Sequence, residues 1–235
     1  MIRALLVVAE KEIYQILHTR SLLLSALIFG VIFGVMSVPA MGAAGSERID
    51  TLLFTVVLML GVFSGYLFSG QTFLREKQGG SIETLLCSPL TLRELWAGKV
   101  LGVVVPAYLI ALVSAGLMIG AALLVPLTGG NSGRLWSAEL LVHLLVVVPC
   151  TIAAVVGLLG LSQLLLGMRE NRVIGIGVVL LMVTLLSVAR SLASAAGEIT
   201  WLTEGIVFLA VLLLLLVTTV LTRFLSRERI VMTLP

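Results

Sequence analysis

The chain has 235 residues, 60% of them hydrophobic and 11% charged, with a net charge of +3. A soluble domain carries about 25% charged residues, so a surface this poor in charge would leave large apolar patches against water, and a soluble globule is excluded. Long uninterrupted apolar runs with only 6% aromatic residues argue for bundled transmembrane helices rather than a barrel of short alternating strands.

Residues 1–20 do not read as a cleavable signal, because Arg3 is followed by Glu10, Lys11 and Glu12 instead of an unbroken apolar core. Ile2, Leu5, Ala9, Ile13 and Ile16 recur at helical spacing on one face, with Arg3, Glu10 and Lys11 elsewhere on the circumference. The pattern predicts an amphipathic helix lying along the inner leaflet; the plainer alternative is an extension of the first span.

Six intervals without a charged residue follow: 21–46, 51–74, 100–133, 140–168, 173–189 and 205–222. A hydrocarbon core of about 30 Å takes about 20 helical residues and at least about 17. All six therefore suffice for a crossing, the last two, at 17 and 18 residues, only just. Without their loop residues the predicted spans are 21–41, 51–74, 100–126, 140–167, 173–190 and 205–222, so that residues 21–235 form a single six-helix transmembrane domain. Six crossings put both termini on one side. Twelve of the fifteen Lys and Arg fall in the termini and in loops 75–99 and 169–172. By the positive-inside rule that side is cytoplasmic, and the net charge of +3 describes membrane orientation rather than a nucleic-acid surface. Glycines four apart, as at Gly30 and Gly34, Gly61 and Gly65, and Gly116 and Gly120, permit close helix approach, while Pro106 and Pro149 bend or interrupt spans three and four.

One connection carries a pattern. In 75–99, REKQGGSIETLLCSPLTLRELWAGK, Gly79 and Gly80 stop the helix continuing from span two, and Ser81 is suited to cap a new short helix that Pro89 ends. Thr91 and Glu94 then form a capping box for a helix running through Trp96 and Lys99 into span three. The short helix, about 82–88, presents Ile82, Leu85 and Leu86 beside Glu83 and suits docking into another protein's groove.

These residues resemble a family. Arg75, Glu76, Lys77, Gly80, Ser81, Ile82, Glu83, Leu85, Leu86, Ser88, Pro89, Leu90, Glu94, Leu95, Gly98 and Lys99 look like the cytoplasmic loop between spans two and three of ABC-2-type transporter permeases. The resemblance implies an all-α, six-span, multi-pass protein of a prokaryotic plasma membrane, with cytoplasmic termini. It implies pairing with a second permease copy or a homologous permease, and transport as an exporter. The segment Gly80, Ser81, Ile82, Glu83, Leu85, Leu86, Ser88 and Pro89 would be the coupling helix that seats on an ABC ATP-binding subunit. ATP and magnesium would sit on that partner. Gly98 and Lys99 are followed by Val100, with Arg93 where a phosphate-cradling loop needs Gly, so this chain carries no nucleotide site of that kind and no cofactor of its own. The same resemblance places spans one and five at the dimer interface, which makes Gly30, Gly34, Gly175 and Gly177 the packing candidates. It also suggests short re-entrant helices after span five, with Arg190, Glu198 and Glu204 as an outer gate closed by ion pairing.

The remaining polar residues give less. His143 is either a proton site or a group hydrogen-bonded to a neighbour such as Glu139. Cys87 and Cys150 differ in depth and are not a disulfide pair, and the two histidines have no metal-ligand spacing. No catalytic constellation is visible. A path lined by Leu, Val, Phe, Met and Ser favours an amphipathic or lipid-like cargo. The alternatives are a haem-export-type ABC permease subunit, against which the two histidines weigh, and a secondary transporter, against which the lack of deep carboxylates weighs.

Overall fold

The computed structural model describes residues 2–43, 49–80, 90–124, 138–166, 173, 176–177, 180, 184, 187, 191 and 201–224, and among these residues there are helices and turns but no strand. The chain begins with α1 (Ile2–His18) and α2 (Arg20–Ala43). Next comes α3 (Ile49–Ser69), which continues through a π-helical turn, Gly70–Leu74, into α4 (Arg75–Gln78). A long α5 (Leu92–Leu124) follows, then α6 (Ala138–Val142), which continues through a second π-helical turn, His143–Val147, into α7 (Val148–Leu165). The last described helix is α8 (Trp201–Leu221), followed by a 3-10 turn, Thr222–Phe224. Among the described residues, four continuous stretches are long and apolar enough to cross a membrane: Leu53–Gln78, Leu92–Gly120, Ala138–Leu165 and Trp201–Leu221. Leu5–His18 and Arg20–Phe33, which meet at 77°, make a fifth if taken together. Most of the predicted span 173–190 lies outside the described residues.

Local chemistry accounts for several boundaries. Gly79 donates its N–H to the Arg75 carbonyl, and Gly80 follows with φ +70°, a left-handed conformation that favours glycine. At the start of α5, the Thr91 N–H donates to Glu94 Oε2 at 3.1 Å and the Glu94 N–H to Thr91 Oγ1 at 3.3 Å, the reciprocal bonds of a capping box. Pro106 is accommodated within α5. Pro149 lacks an N–H, and its ring crowds the carbonyl four residues earlier; the chain meets this with the wide turn His143–Val147 just ahead of it. Beside that turn the Tyr108 hydroxyl donates to the Leu144 carbonyl at 3.0 Å.

Contacts along the helices give their directions. Phe54 lies against His143, Gly61 against Ile152 and Phe73 against Gly160, so α3 and α7 run parallel. Glu204 meets His143, and Thr218 meets Gly157, so α7 and α8 also run parallel. Helix α5 runs against α3, with Ala111 beside Gly61 and Lys99 beside Glu76. The largest buried cluster lies among α2, α3, α5 and α7, including Val57, Phe68, Val103, Ala111, Ile152 and Val156.

Because lipid competes with apolar side chains for apolar partners, close fit at small residues carries much of the helix association. A Cβ on Gly61 would stand 2.8 Å from Ile152 Cδ1, and one on Gly65 2.9 Å from Val156 Cγ2. The tightest approach involves a pair that the glycine spacing above overlooks. A Cβ on Gly102 would lie 2.5 Å from Glu12 Cβ and 3.1 Å from the Ala9 carbonyl, and one on Gly98 2.8 Å from Val8 Cβ. Helix α1 is seated in this notch of α5 by Val8, Ala9, Glu12 and Ile16, all buried, while Leu6, Val7, Tyr14 and Leu17 are exposed. Its buried stripe thus shares Ala9 and Ile16 with the apolar face read from the sequence but is rotated to include an acid. Gly116 and Gly120 meet nothing within 4 Å.

Gly102→Ala is expected to lower stability by about 1–3 kcal/mol, because the Glu12 Cβ it strikes is held close to the α1 backbone. Gly116→Ala, with open space around it, is expected to leave stability unchanged or raise it by up to about 1 kcal/mol through helix propensity. Thermal unfolding of the two variants side by side in detergent checks the contrast.

Candidate functional site

Four charged side chains meet where α1, α4 and α5 converge. Lys99 Nζ lies 2.7 Å from Glu12 Oε1 and 2.6 Å from Glu76 Oε2. Lys11 Nζ closes the ring at 3.1 Å from Glu12 Oε1 and 2.9 Å from Glu76 Oε1. The result is two ammonium groups and two carboxylates, each carboxylate shared by both lysines. Lys99 and Glu12 are almost fully buried, whereas the Lys11 side chain is 50% exposed and forms the wet edge of the cluster. Removing such charges from water costs several kcal/mol per ion, which only near-ideal partners offset. Balanced charge and short distances meet that condition here.

Backbone geometry completes the site. The π-helical turn Gly70–Leu74 directs the Thr72 carbonyl to Lys99 Nζ at 3.3 Å, and the Phe73 ring centroid lies 5.8 Å from the same nitrogen. One residue beyond Glu76, Lys77 turns the other way. Its buried ammonium donates to the carbonyls of Gln163, Leu164 and Leu166 at 3.3, 3.3 and 2.7 Å, at the end of α7 where backbone acceptors lack helical donors and the dipole favours a cation. Ser69 Oγ donates to Gln163 Oε1 at 3.2 Å, and the Trp96 indole N–H to the Gly157 carbonyl at 3.3 Å. This end of the bundle is therefore fastened by polar bonds among α1, α3, α4, α5 and α7. The arrangement holds helices in fixed relation. Among the described residues no group of three or more His, Cys, Asp or Glu is placed to hold a metal ion.

The segment 81–89 leaves the cluster after Gly80 and returns ahead of Thr91, so its two roots are the helices that carry Glu76 and Lys99. Gly80 is described; Ser81, Ile82, Glu83, Leu85, Leu86, Ser88 and Pro89 lie outside the described residues. Of the gate candidates, Arg190 and Glu198 also lie outside them, while Glu204 is buried and bonded to His143. Gly30 faces Ser114 of α5, where a Cβ would stand 2.6 Å from Ser114 Oγ. Gly177 has nothing within 4 Å, Gly34 is described only as helical, and Gly175 lies outside the described residues. Glu12 and Lys11 were not singled out from the sequence as site residues. The available signal was an acid at position 12 on the stripe with Ala9 and Ile16, a place an apolar residue would otherwise fill.

The family described as ABC-2 family transporter protein matches residues 6–163, a stretch that contains all four members of the ionic cluster. No curated protein matches the chain.

Lys99→Met leaves two carboxylates facing one half-exposed ammonium and is expected to cost about 3–5 kcal/mol. Adding Glu12→Gln restores charge balance, so the double variant is expected to be more stable than the sum of the single changes by about 1–3 kcal/mol. A double-mutant cycle read by denaturation in detergent checks this.

Proposed function

The chain belongs to the ABC-2 family of transporter proteins, and from that premise we propose that it is the permease subunit of an ATP-driven exporter, energised by a separate ATP-binding subunit that docks on segment 80–89. The observation that carries this reading is the ionic cluster. It joins the two helices that root the segment, through Glu76 and Lys99, to the N-terminal helix, through Lys11 and Glu12. A push on Ile82, Glu83, Leu85 or Leu86 would therefore move α1, α4 and α5 as one body rather than bend a loose loop. The positive φ of Gly80 sets the angle at which the segment departs.

The proposed topology has six spans with both termini cytoplasmic. Two features support it. Helices α7 and α8 are parallel neighbours, by the His143–Glu204 and Gly157–Thr218 contacts, so one return crossing is needed between them. The ionic cluster and the end of α7 that Lys77 caps also lie at the end of the bundle where the Lys and Arg of loop 75–99 are concentrated, the side that the positive-inside rule makes cytoplasmic. In this frame α1, bent 77° from α2, is the helix along the inner leaflet. Two such subunits enclose the path, and its apolar lining suits a lipid-like or amphipathic cargo.

Co-expression with the products of the genes that neighbour its own should yield a stable complex with ATPase activity in lipid. Glu83→Ala combined with Leu86→Ala should weaken that complex about tenfold or more, as the loss of a docking hot spot does. The absence of any associated nucleotidase, together with no effect of the double variant on activity in lipid, would falsify this reading.

A further inference from the structure

At the end of the bundle opposite the ionic cluster, His143 and Glu204 face each other with side-chain exposures of 0% and 4%. His143 Nδ1 lies 3.1 Å from Glu204 Oε1 and 3.3 Å from Oε2. The hydrogen bond runs to Oε2, while Oε1 makes only the ionic approach to Nδ1; His143 Nε2, on the far side of the ring, is buried without a hydrogen bond. Helix α3 contributes the Phe54 ring, 4.0 Å from the imidazole centroid. On α5 the Tyr108 hydroxyl donates to the carbonyl of Leu144, the residue after the histidine. On α8 the neighbouring Thr203 is buried as well, and on the histidine's own helix the nearest ionisable group is Glu139, one turn earlier and half-buried. Asp50 stands one turn before Phe54 on α3. No cation among the described residues joins the pair.

Two mechanical facts surround it. His143 opens the π-helical turn His143–Val147, and Glu204 sits in the first turn of α8, the most exposed of the four long spans. The pair is thus a polar pin between a wide turn and the long helix with the least surface buried within the chain. Its net charge depends on its proton count. With neutral imidazole and ionised carboxylate the pair carries one negative charge. One added proton makes it neutral, and a second leaves a lone positive charge. Only the neutral form is suited to an apolar, water-poor contact, since an uncompensated buried charge is costly. An opened contact, hydrated on both sides, accepts any of the three.

We propose that His143 and Glu204 are a proton-binding latch, holding the first turn of α8 on the π-helical turn while the pair carries one shared proton and releasing it when that proton is lost or a second is gained. By linkage, opening takes up a proton on the acid side and gives one up on the alkaline side, so closure is greatest at intermediate pH and falls on both limbs. The latch is independent of how the chain is energised.

The test uses the full chain in lipid nanodiscs, with Cys87 and Cys150 replaced by Ala and spin labels at Val142→Cys and Leu202→Cys, both exposed positions flanking the pair. The distance distribution is followed from about pH 4.5 to about pH 9, a range that brackets ordinary carboxylate and imidazole titration. A short distance should dominate at intermediate pH and give way to a longer one at both extremes. Glu204→Gln leaves only the imidazole to titrate and should abolish the alkaline limb alone. His143→Gln leaves only the carboxylate and should abolish the acid limb alone. A purely structural contact would not separate the limbs. A distribution in the unsubstituted pair that does not change with pH overturns the latch even if neither variant folds, and so does a two-limbed profile that survives both substitutions.

Discussion

The structure depends on one constraint: charges drawn into a membrane-protein interior must be neutralised where they stand. Lys99 and Glu12 are nearly inaccessible to water, and each finds its shortest ionic partner on another helix. Their presence forces α1 against α5, and Glu76 forces the end of the α3–α4 rod against the same nitrogen. Gly98 and Gly102 make the approach sterically possible, because any side chain there would strike Val8 or Glu12. Charge balance and small-residue fit thus act together. The glycine notch brings the backbones close, and the ion pairs determine which face of α1 enters it.

A cluster of this kind contributes more to geometry than to net stability. Buried ion pairs are often no more stable than well-packed apolar side chains of the same volume, but breaking one partner is severe, so the arrangement penalises every alternative docking of α1. For a chain of the ABC-2 family that property has a use. Segment 81–89 is rooted between Glu76 and Lys99, and the adjacent Lys77 ties the same root to the end of α7. Displacement of the segment would be distributed to three helices and to the C-terminal end of a fourth. The opposite end is built differently, with a π-helical turn, a buried His–Glu contact and an α8 that buries the least of its surface within the chain. One end suits transmission and the other suits opening.

Much of the helical plan was legible in the residues. Uninterrupted apolar runs marked the long helices, Thr91 and Glu94 marked the start of α5, and Gly80 marked the break after α4, because each is a local effect of backbone chemistry. What was not legible was non-local. Periodicity places Glu12 on a face of α1 but does not say that the face meets Lys99, 87 residues away. Nor does it say that His143 meets Glu204, 61 residues on, rather than Glu139 on its own helix. The π-helical turns escaped for another reason. One lies just ahead of Pro149, which the sequence reads as a bend without specifying a wide turn, and the other carries a tertiary contact, Lys99 on the Thr72 carbonyl, that periodicity does not reveal.

Movement of α1, α4 and α5 as one body is tested most directly by distance measurements in the chain bound to the ATP-binding subunit proposed for it. Spin labels at Tyr14 on α1 and Arg93 on α5, both exposed, report the relation between the two helices with and without nucleotide. The account predicts one unchanged distance in both states, and a distance that becomes nucleotide-dependent once Lys99 is replaced by Met. A Tyr14–Arg93 distance that already changes with nucleotide in the intact cluster would contradict it.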